Sequence, residues 1–212
     1  MTEIIFILDR SGSMEGLEKD TIGGFNSMMK KQASVPGDAL VSTLLFDNDV
    51  EVIHDRLNIK DVPEMTSKEY YVRGCTALLD AVGGAIKHIS MIHKYARKED
   101  VPEKTLFIIT TDGMENASRR YSYEDVRSMV EHQKSKHGWE FIFLGANIDA
   151  QAEAPKYGID ESMSVNYNCD SKGMEISFKV MDDVVSSYRS TCEVPKEWRK
   201  LIDDDFKSRR KF

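Results

Sequence analysis

Residues 4–14 read IIFILDRSGSM, in which five apolar residues run directly into a polar segment. An apolar run without polar alternation is typical of a strand that is buried on both faces. Residues 17–32 follow with apolar side chains at helical spacing. A buried strand that leads through a short polar loop into a helix predicts an α/β sheet.

Strand runs and helical periods alternate along the rest of the chain. The further predicted strands occupy residues 40–46, 104–111 and 139–144, with an edge strand at 163–167. The further predicted helices occupy residues 76–96, about 150–157 and about 172–190, and another helix begins at Ser122 with Asp125 three residues later.

Asp47-Asn48-Asp49 separates the strand at 40–46 from an apolar run at 50–53. Turn residues between two strand runs indicate a hairpin, so the strand at 50–53 is predicted to be antiparallel and at an edge. The complete pattern predicts a three-layer, Rossmann-like α/β fold. Its mostly parallel central sheet has about six strands, with helices on both faces.

The composition limits the classes of protein to which the chain can belong. With 212 residues and 24.2 kDa, it is long enough for one core and too short for two ordinary domains. Its 29 Lys and Arg against 36 Asp and Glu give a net charge of −7. That charge disfavours binding to the phosphates of nucleic acid.

The sequence also gives expectations about compartment. No apolar run approaches the roughly 20 residues of a membrane-spanning helix, and the first segment, MTEIIFILDR, lacks the features of a signal peptide. Cys75, Cys169 and Cys192 fit neither a disulfide framework nor a zinc site. We therefore expect a monomer in the cytoplasm that binds neither membrane nor nucleic acid.

Three polar segments adjoin the predicted strands and the longest predicted helix. They are residues 9–14 after the first strand, residues 74–76 before the helix at 76–96, and residues 111–113 at the end of the strand at 104–111. Ligands of open α/β sheets bind outside the carboxyl ends of the strands. The three segments are therefore candidates for one site.

These segments offer carboxylate and hydroxyl oxygens and no His or Cys ligand set. The candidate ligands are Asp9, Ser11, Ser13, Thr76 and Asp112. An all-oxygen set suits Mg²⁺, with Mn²⁺ or Ca²⁺ as alternatives. Gly12 is expected to let the first loop turn without a Cβ clash. Two carboxylates roughly balance the charge of a divalent cation, and the hydroxyls add none. A cation whose coordination is incomplete would stay electron-poor, so its open coordination position would attract an anionic oxygen from outside.

Each segment also has a purely structural interpretation. Asp9 and Ser11 could be helix-capping or turn residues, and Thr76 could be only the N-cap of its helix. Asp112 could belong to an ordinary turn. Only the conjunction of the three segments favours a metal site.

The motifs DRSGSM at 9–14, GCTAL at 74–78 and TDG at 111–113 resemble three segments of the von Willebrand factor type A domain. In that family these segments form the metal-ion-dependent adhesion site. The order, the spacing and the placement at strand ends agree, and the resemblance covers roughly residues 2–190. The chain resembles short, stand-alone bacterial or phage members of the family.

The resemblance implies a set of metal ligands. The hydroxyls of Ser11, Ser13 and Thr76 would bind the metal, and Asp9 and Asp112 would bind it directly or through water. One position would remain for an Asp or Glu of a partner protein, or for water. Cys75 stands where many members have a small residue such as Gly. Glu115 and Asn116 could support the ligands or face solvent.

Three functions compete. The first is a non-enzymatic, metal-dependent protein-interaction module. The second is a Mg²⁺-dependent phosphoryl-transfer enzyme with Asp9 as nucleophile. Against it, position 11 is Ser rather than a carboxylate, and the chain has no Gly-rich phosphate loop. The third is a structural domain in which the metal only ties loops together.

The last part of the chain changes in character. We predict a von Willebrand factor type A domain at residues 1–190 and a charged C-terminal extension at 191–212. Asp203-Asp204-Asp205 is followed closely by four basic residues, ending at Lys211. This mixed charge predicts a solvated, partly frayed tail that adds little stability beyond about residue 200.

Overall fold

The computed structural model describes residues 1–209. The strands are β1 (Thr2–Asp9), β2 (Ala39–Phe46), β3 (Val50–Asn58), β4 (Lys104–Thr111), β5 (Glu140–Gly145) and β6 (Ser164–Asn166). The helices are α1 (Glu18–Ala33), α2 (Leu78–Tyr95), α3 (Tyr123–His137), α4 (Ala150–Glu153), α5 (Ser171–Thr191) and α6 (Lys200–Arg209). The Ser122–Asp125 start signal is confirmed as a capping box.

The strands form one sheet in the order β3-β2-β1-β4-β5-β6. Every neighbouring pair is parallel except β2 and β3. The predicted fold class, with its antiparallel edge strand, is confirmed. β3 extends beyond the predicted residues 50–53 to Asn58, because a strand at an edge keeps one side in solvent and accepts polar residues. β1 and β4 lie side by side at the centre.

Alternate residues of β1 face opposite layers of helices. Ile4, Phe6 and Leu8 pack in the core that lies under α1 and α5, whereas Ile5 and Ile7 pack in the core under α2 and α3. All five are at most 3% exposed. Burial on both faces explains why the run has no polar alternation.

As far as Arg209, the chain beyond α5 packs against the rest of the fold instead of forming a solvated tail. Trp198 and Ile202 are 7% and 2% exposed and belong to the core under α1 and α5. Trp198 lies in the turn before α6, and Ile202 lies in the first turn of that helix. The surrounding charges obscured these two apolar residues in the sequence. The prediction of a frayed tail is wrong as far as Arg209. The remaining residues, 210–212, lie outside the described part, and the domain boundary at 190 stays a prediction.

Polar contacts also hold this segment against the last strand. Trp198 Nε1 donates to the Ser162 carbonyl oxygen at 3.0 Å, and Arg199 Nη1 donates to the Ser164 carbonyl oxygen at 2.7 Å. Arg209 forms an ion pair with Asp170, beside the start of α5. The segment 198–209 is therefore part of the packed fold.

Within the described residues, none of the helices combines the length and the apolar character that crossing a bilayer would require.

Candidate metal site

Three loops meet at the carboxyl edge of the central strands, and backbone hydrogen bonds join them. Gly12 N donates to the Gly74 carbonyl oxygen at 3.1 Å, which ties the loop after β1 to the segment before α2. Asn116 N donates to the Thr76 carbonyl oxygen at 3.0 Å, and Thr76 N donates to Asn116 Oδ1 at 2.9 Å. The loop after β4 is thus fixed to the same segment.

Four of the five predicted site residues form a connected cluster of side chains. Ser13 Oγ donates to Asp112 Oδ1 at 2.6 Å and lies 3.1 Å from Ser11 Oγ. Ser11 N donates to Asp9 Oδ1 at 2.7 Å. Thr111 Oγ1 donates to the other oxygen of Asp9, also at 2.7 Å. The loops after β1 and β4 therefore bring their oxygen atoms to one place.

The hydroxyl of Thr76 faces the same place. A Cβ built on Gly113 would lie 3.6 Å from Thr76 Oγ1 and 3.7 Å from Ser13 Oγ, so the two hydroxyls border one small space. Thr76 does not cap its helix, because the N-cap of α2 is Ala77, and Ala77 makes no side-chain cap bond. The structural interpretation of Thr76 as only an N-cap is wrong.

Asp9 and Ser11 likewise cap no helix through their side chains. The N-cap of α1 is Leu17, and Ser11 makes no side-chain cap bond at the short 3₁₀ turn that follows it. The capping interpretation of these two residues is therefore wrong, although the loop that contains them is a tight one.

The glycine that the site requires is Gly74. Its φ is +67°, and a Cβ there would lie 1.9 Å from Asn48 Oδ1, so a side chain would both strain the backbone and collide. The same Asn48 oxygen accepts a hydrogen bond from Cys75 N at 3.0 Å. Gly12 has no positive φ, and a Cβ there would lie 3.4 Å from the Gly74 carbonyl oxygen, so the expectation that a Cβ at Gly12 would clash is wrong.

Among residues 1–209, no positively charged side chain pairs with the two buried carboxylates. Asp9 and Asp112 are each 1% exposed. Burial raises the pKa of Asp9 to about 6; the hydrogen bonds from Ser11 and Thr111 oppose this, and the charge of Asp112 adds to it. Burial also raises the pKa of Asp112, against the hydrogen bond from Ser13. A cation between them would remove this cost.

The thiol of Cys169, which was not among the predicted site residues, also belongs to the cluster. Cys169 Sγ donates to Asp112 Oδ2 at 3.7 Å. Burial raises the pKa of the Cys169 thiol to about 12, so it stays protonated and acts as a donor. Cys169 lies 57 residues from Asp112 in the chain, and no sequence signal links them. Cys75, beside the second loop, is exposed.

Arg10 is the second residue that sequence reasoning missed. It is wholly buried, and it forms ion pairs with Asp47 at 2.8 Å and with Glu51 at 2.7 Å. Nearby, Tyr70 Oη donates to the Asp9 carbonyl oxygen at 2.6 Å. The available signal was a charged residue just beyond the end of β1, a strand with an apolar run at residues 4–8, since a charge beside a buried strand needs partners.

Glu115 and Asn116 both form hydrogen bonds to the segment at the start of α2, although Asn116 remains exposed to solvent. Glu115 Oε2 accepts a hydrogen bond from Leu79 N at 2.8 Å, and Asn116 bonds Thr76 as described. Asp80, also in the first turn of α2, accepts backbone N–H bonds from residues 119–121. The loop after β4 and the start of α2 are therefore held as one unit.

Comparison with known proteins shows the fold. No protein-family model matches the sequence. No curated protein matches it. Solved structures do match: the PilB minor pilin from Streptococcus sanguinis, studied as a mutant, has 13% identity and a TM-score of 0.62 over 87% of this chain and 61% of the pilin chain.

Two further matching structures are described by the von Willebrand factor type A domain or by its metal site, the MIDAS motif. A von Willebrand factor type A protein from Catenulispora acidiphila has 15% identity and a TM-score of 0.61, over 88% of this chain and 42% of that one. Proximal thread matrix protein 1 from the mussel byssus, with a zinc-occupied MIDAS motif, has 14% identity and a TM-score of 0.54. The match covers 88% of this chain and 48% of the mussel protein. The chain has the von Willebrand factor type A fold, and it spans about half the length of these proteins.

Proposed function

We propose that this chain is a protein-interaction module that depends on a divalent cation. The cation would be held by Asp9, Ser11, Ser13, Thr76 and Asp112. The observation that carries the proposal is the meeting of two buried carboxylates and three hydroxyls at one edge of the sheet. Hard oxygen donors suit Mg²⁺, with Mn²⁺ or Ca²⁺ as alternatives. The zinc-occupied MIDAS of a protein with the same fold supports a divalent cation here.

When bound, the cation supplies an electron-poor position that accepts an anionic oxygen, which we assign to an Asp or Glu of a partner protein. The residues of the chain prepare that position. Ser11 N and Thr111 hold the carboxylate of Asp9, and Ser13 and Cys169 hold the two oxygens of Asp112. These contacts fix the donors before the partner arrives, which reduces the ordering cost of binding.

The geometry favours binding over phosphoryl transfer. A nucleophilic carboxylate must present an oxygen to the phosphorus atom, yet Asp9 is 1% exposed and both its oxygens accept hydrogen bonds. The residue two positions later is Ser11, which offers no carboxylate for acid–base work. We therefore propose a module without enzymatic activity. Separately, we propose that it acts in the cytoplasm, as expected from the sequence.

Affinity capture from a native lysate tests the proposal. The wild type and Asp204→Ala, an exposed charge change on α6, should retain a partner in Mg²⁺ and lose it in EDTA. Asp112→Ala should retain none in either buffer. Capture that persists in EDTA, or with Asp112→Ala, would contradict the proposal. Mg²⁺-dependent stabilisation without any capture would favour the purely structural role, and metal-dependent hydrolysis of an aryl phosphate would favour the enzyme.

A further inference from the structure

A second pocket lies at the opposite edge of the sheet, where the parallel strands begin. The last turns of α2 and α3 and the segments that precede β4 and β5 enclose about 680 Å³. We call this the basal pocket and define it by His93, Lys94, Lys98, Gln133, His137 and Trp139, which all line it. A volume of this size is typical of sites for small organic molecules.

Two lysines of the basal pocket, Lys94 and Lys98, are cations without an ion-pair partner among the described residues. No Asp or Glu between residues 1 and 209 lines the pocket. Arg97 instead pairs with Glu99 and Asp100, the acids of the adjacent loop. The ends of α2 and α3 contribute about half a negative charge each, and the two acids share the single Arg97, so an anionic ligand would depend on direct contact with the two lysines rather than on a general positive field.

Other groups of the pocket are held in place. His93 Nε2 lies 2.6 Å from Oε2 of the buried Glu3, and the ring of His93 meets the edge of Trp139 with centroids 5.4 Å apart. Trp139 is 4% exposed and stacks on Phe107 at 5.3 Å. The wall of the pocket is therefore formed before any ligand binds.

A buried amide in the pocket lacks a partner. Gln133 is 7% exposed, and its Oε1 atom receives no hydrogen bond from the described part of the protein. A buried acceptor without a donor costs stability, and an N–H or O–H group of a ligand would remove that cost. Val101 and Pro102 complete the lining with apolar surface.

We propose that the basal pocket binds a small organic anion. The ligand would carry a carboxylate, sulfonate or phosphate on an apolar, ring-containing body with at least one N–H or O–H donor. Lys94 and Lys98 would contact the anionic group, Val101 and Pro102 the body, and Gln133 the donor. This site is separate from the candidate metal site and does not depend on it.

Fluorescence titration with 8-anilinonaphthalene-1-sulfonate tests the inference, because this probe has a sulfonate, aromatic rings and one N–H. The wild type should show saturable binding. Replacing both Lys94 and Lys98 by Ala should weaken it by at least about fivefold, because a charge-assisted contact is lost. Ser90→Trp, which fills the pocket and leaves its charges in place, should weaken it similarly.

The matched control replaces Lys19 and Lys31, which line a groove between α1 and α5 together with acidic residues. This double variant should bind the probe within about twofold of the wild type. Thermal unfolding confirms that each variant is folded. The proposal is overturned if the wild type shows no saturable binding, if the pocket variants bind as the wild type does, or if the control loses as much affinity as they do.

Discussion

Replacing Asp9 by Asn should stabilise the metal-free protein at neutral pH. Burial raises the pKa of Asp9 from 3.8 to about 6, while the unfolded chain keeps the ordinary value. Between these two values the folded state holds more protons than the unfolded state, so the free energy of unfolding falls as the pH rises through this range. Asn carries no charge and escapes the loss.

The two pKa values give the magnitude. Burying the Asp9 carboxyl lowers the stability of the folded protein by on the order of 3 kcal/mol at pH 7, and by about 1 kcal/mol or less at pH 4. The amide of Asn can keep both contacts, since its oxygen can accept from Ser11 N and its NH₂ group can donate to Thr111 Oγ1. We expect Asp9→Asn to gain about 2–3 kcal/mol at pH 7 and less than about 1 kcal/mol at pH 4.

Urea unfolding in EDTA at pH 4, 5 and 7 measures this difference. Asp125→Asn is the matched control: the hydrogen bonds of the capping box with Ser122 lower the pKa of Asp125, so this variant should lose stability at pH 7 rather than gain it. Our reasoning about Asp9 fails if Asp9→Asn is less stable than the wild type at pH 7, or if the gain is the same at pH 4 and pH 7.

The affinity for the cation should rise with pH, whereas the stability of the metal-free protein falls. Asp9 must lose its proton to bind the cation, and its pKa is about 6. Calorimetry should therefore show an affinity about tenfold lower at pH 5 than at pH 7. Equal affinity at both pH values would contradict this. Ile202→Ala should cost about 2–4 kcal/mol in urea unfolding, and the neighbouring Leu201→Ala, at 45% exposure, no more than about 0.5 kcal/mol. Equal losses would mean that α6 does not dock. Gly74→Ala should destabilise the fold by more than about 1 kcal/mol and weaken Mg²⁺ binding, because Gly74 has a φ of +67° and a Cβ there would collide with Asn48. Unchanged Mg²⁺ binding would contradict the role given to this loop.

The fold could be predicted because its signals are local. The apolar run of β1 is unbroken because both faces of that strand are buried, and the turn at 47–49 lies between two strands that pair directly. Such features depend on residues that are close in the chain. The fold class, the edge hairpin and the main helices all followed from them.

The candidate site was predictable only in part. Its candidate ligands stand in short motifs after β1, at the end of β4 and before α2, which a sequence shows directly. Cys169 and the partners of Arg10 come from distant segments, and only the order of strands and the path of loops bring them together. The docking of α6 was missed for a related reason, because two apolar side chains in a charged segment gain meaning only once a complementary surface is present.

The contacts of Trp198 and Arg199 have a consequence for association between copies of the chain. β6 has three residues and is the outermost strand on its side of the sheet, and such an edge can pair with strands of other molecules. Arg199 occupies the carbonyl oxygen of Ser164 within this strand, and Trp198 that of Ser162 just before it. We therefore expect a chain that is cut before Trp198 to leave the edge of β6 open to pairing with strands of other molecules and to aggregate more readily.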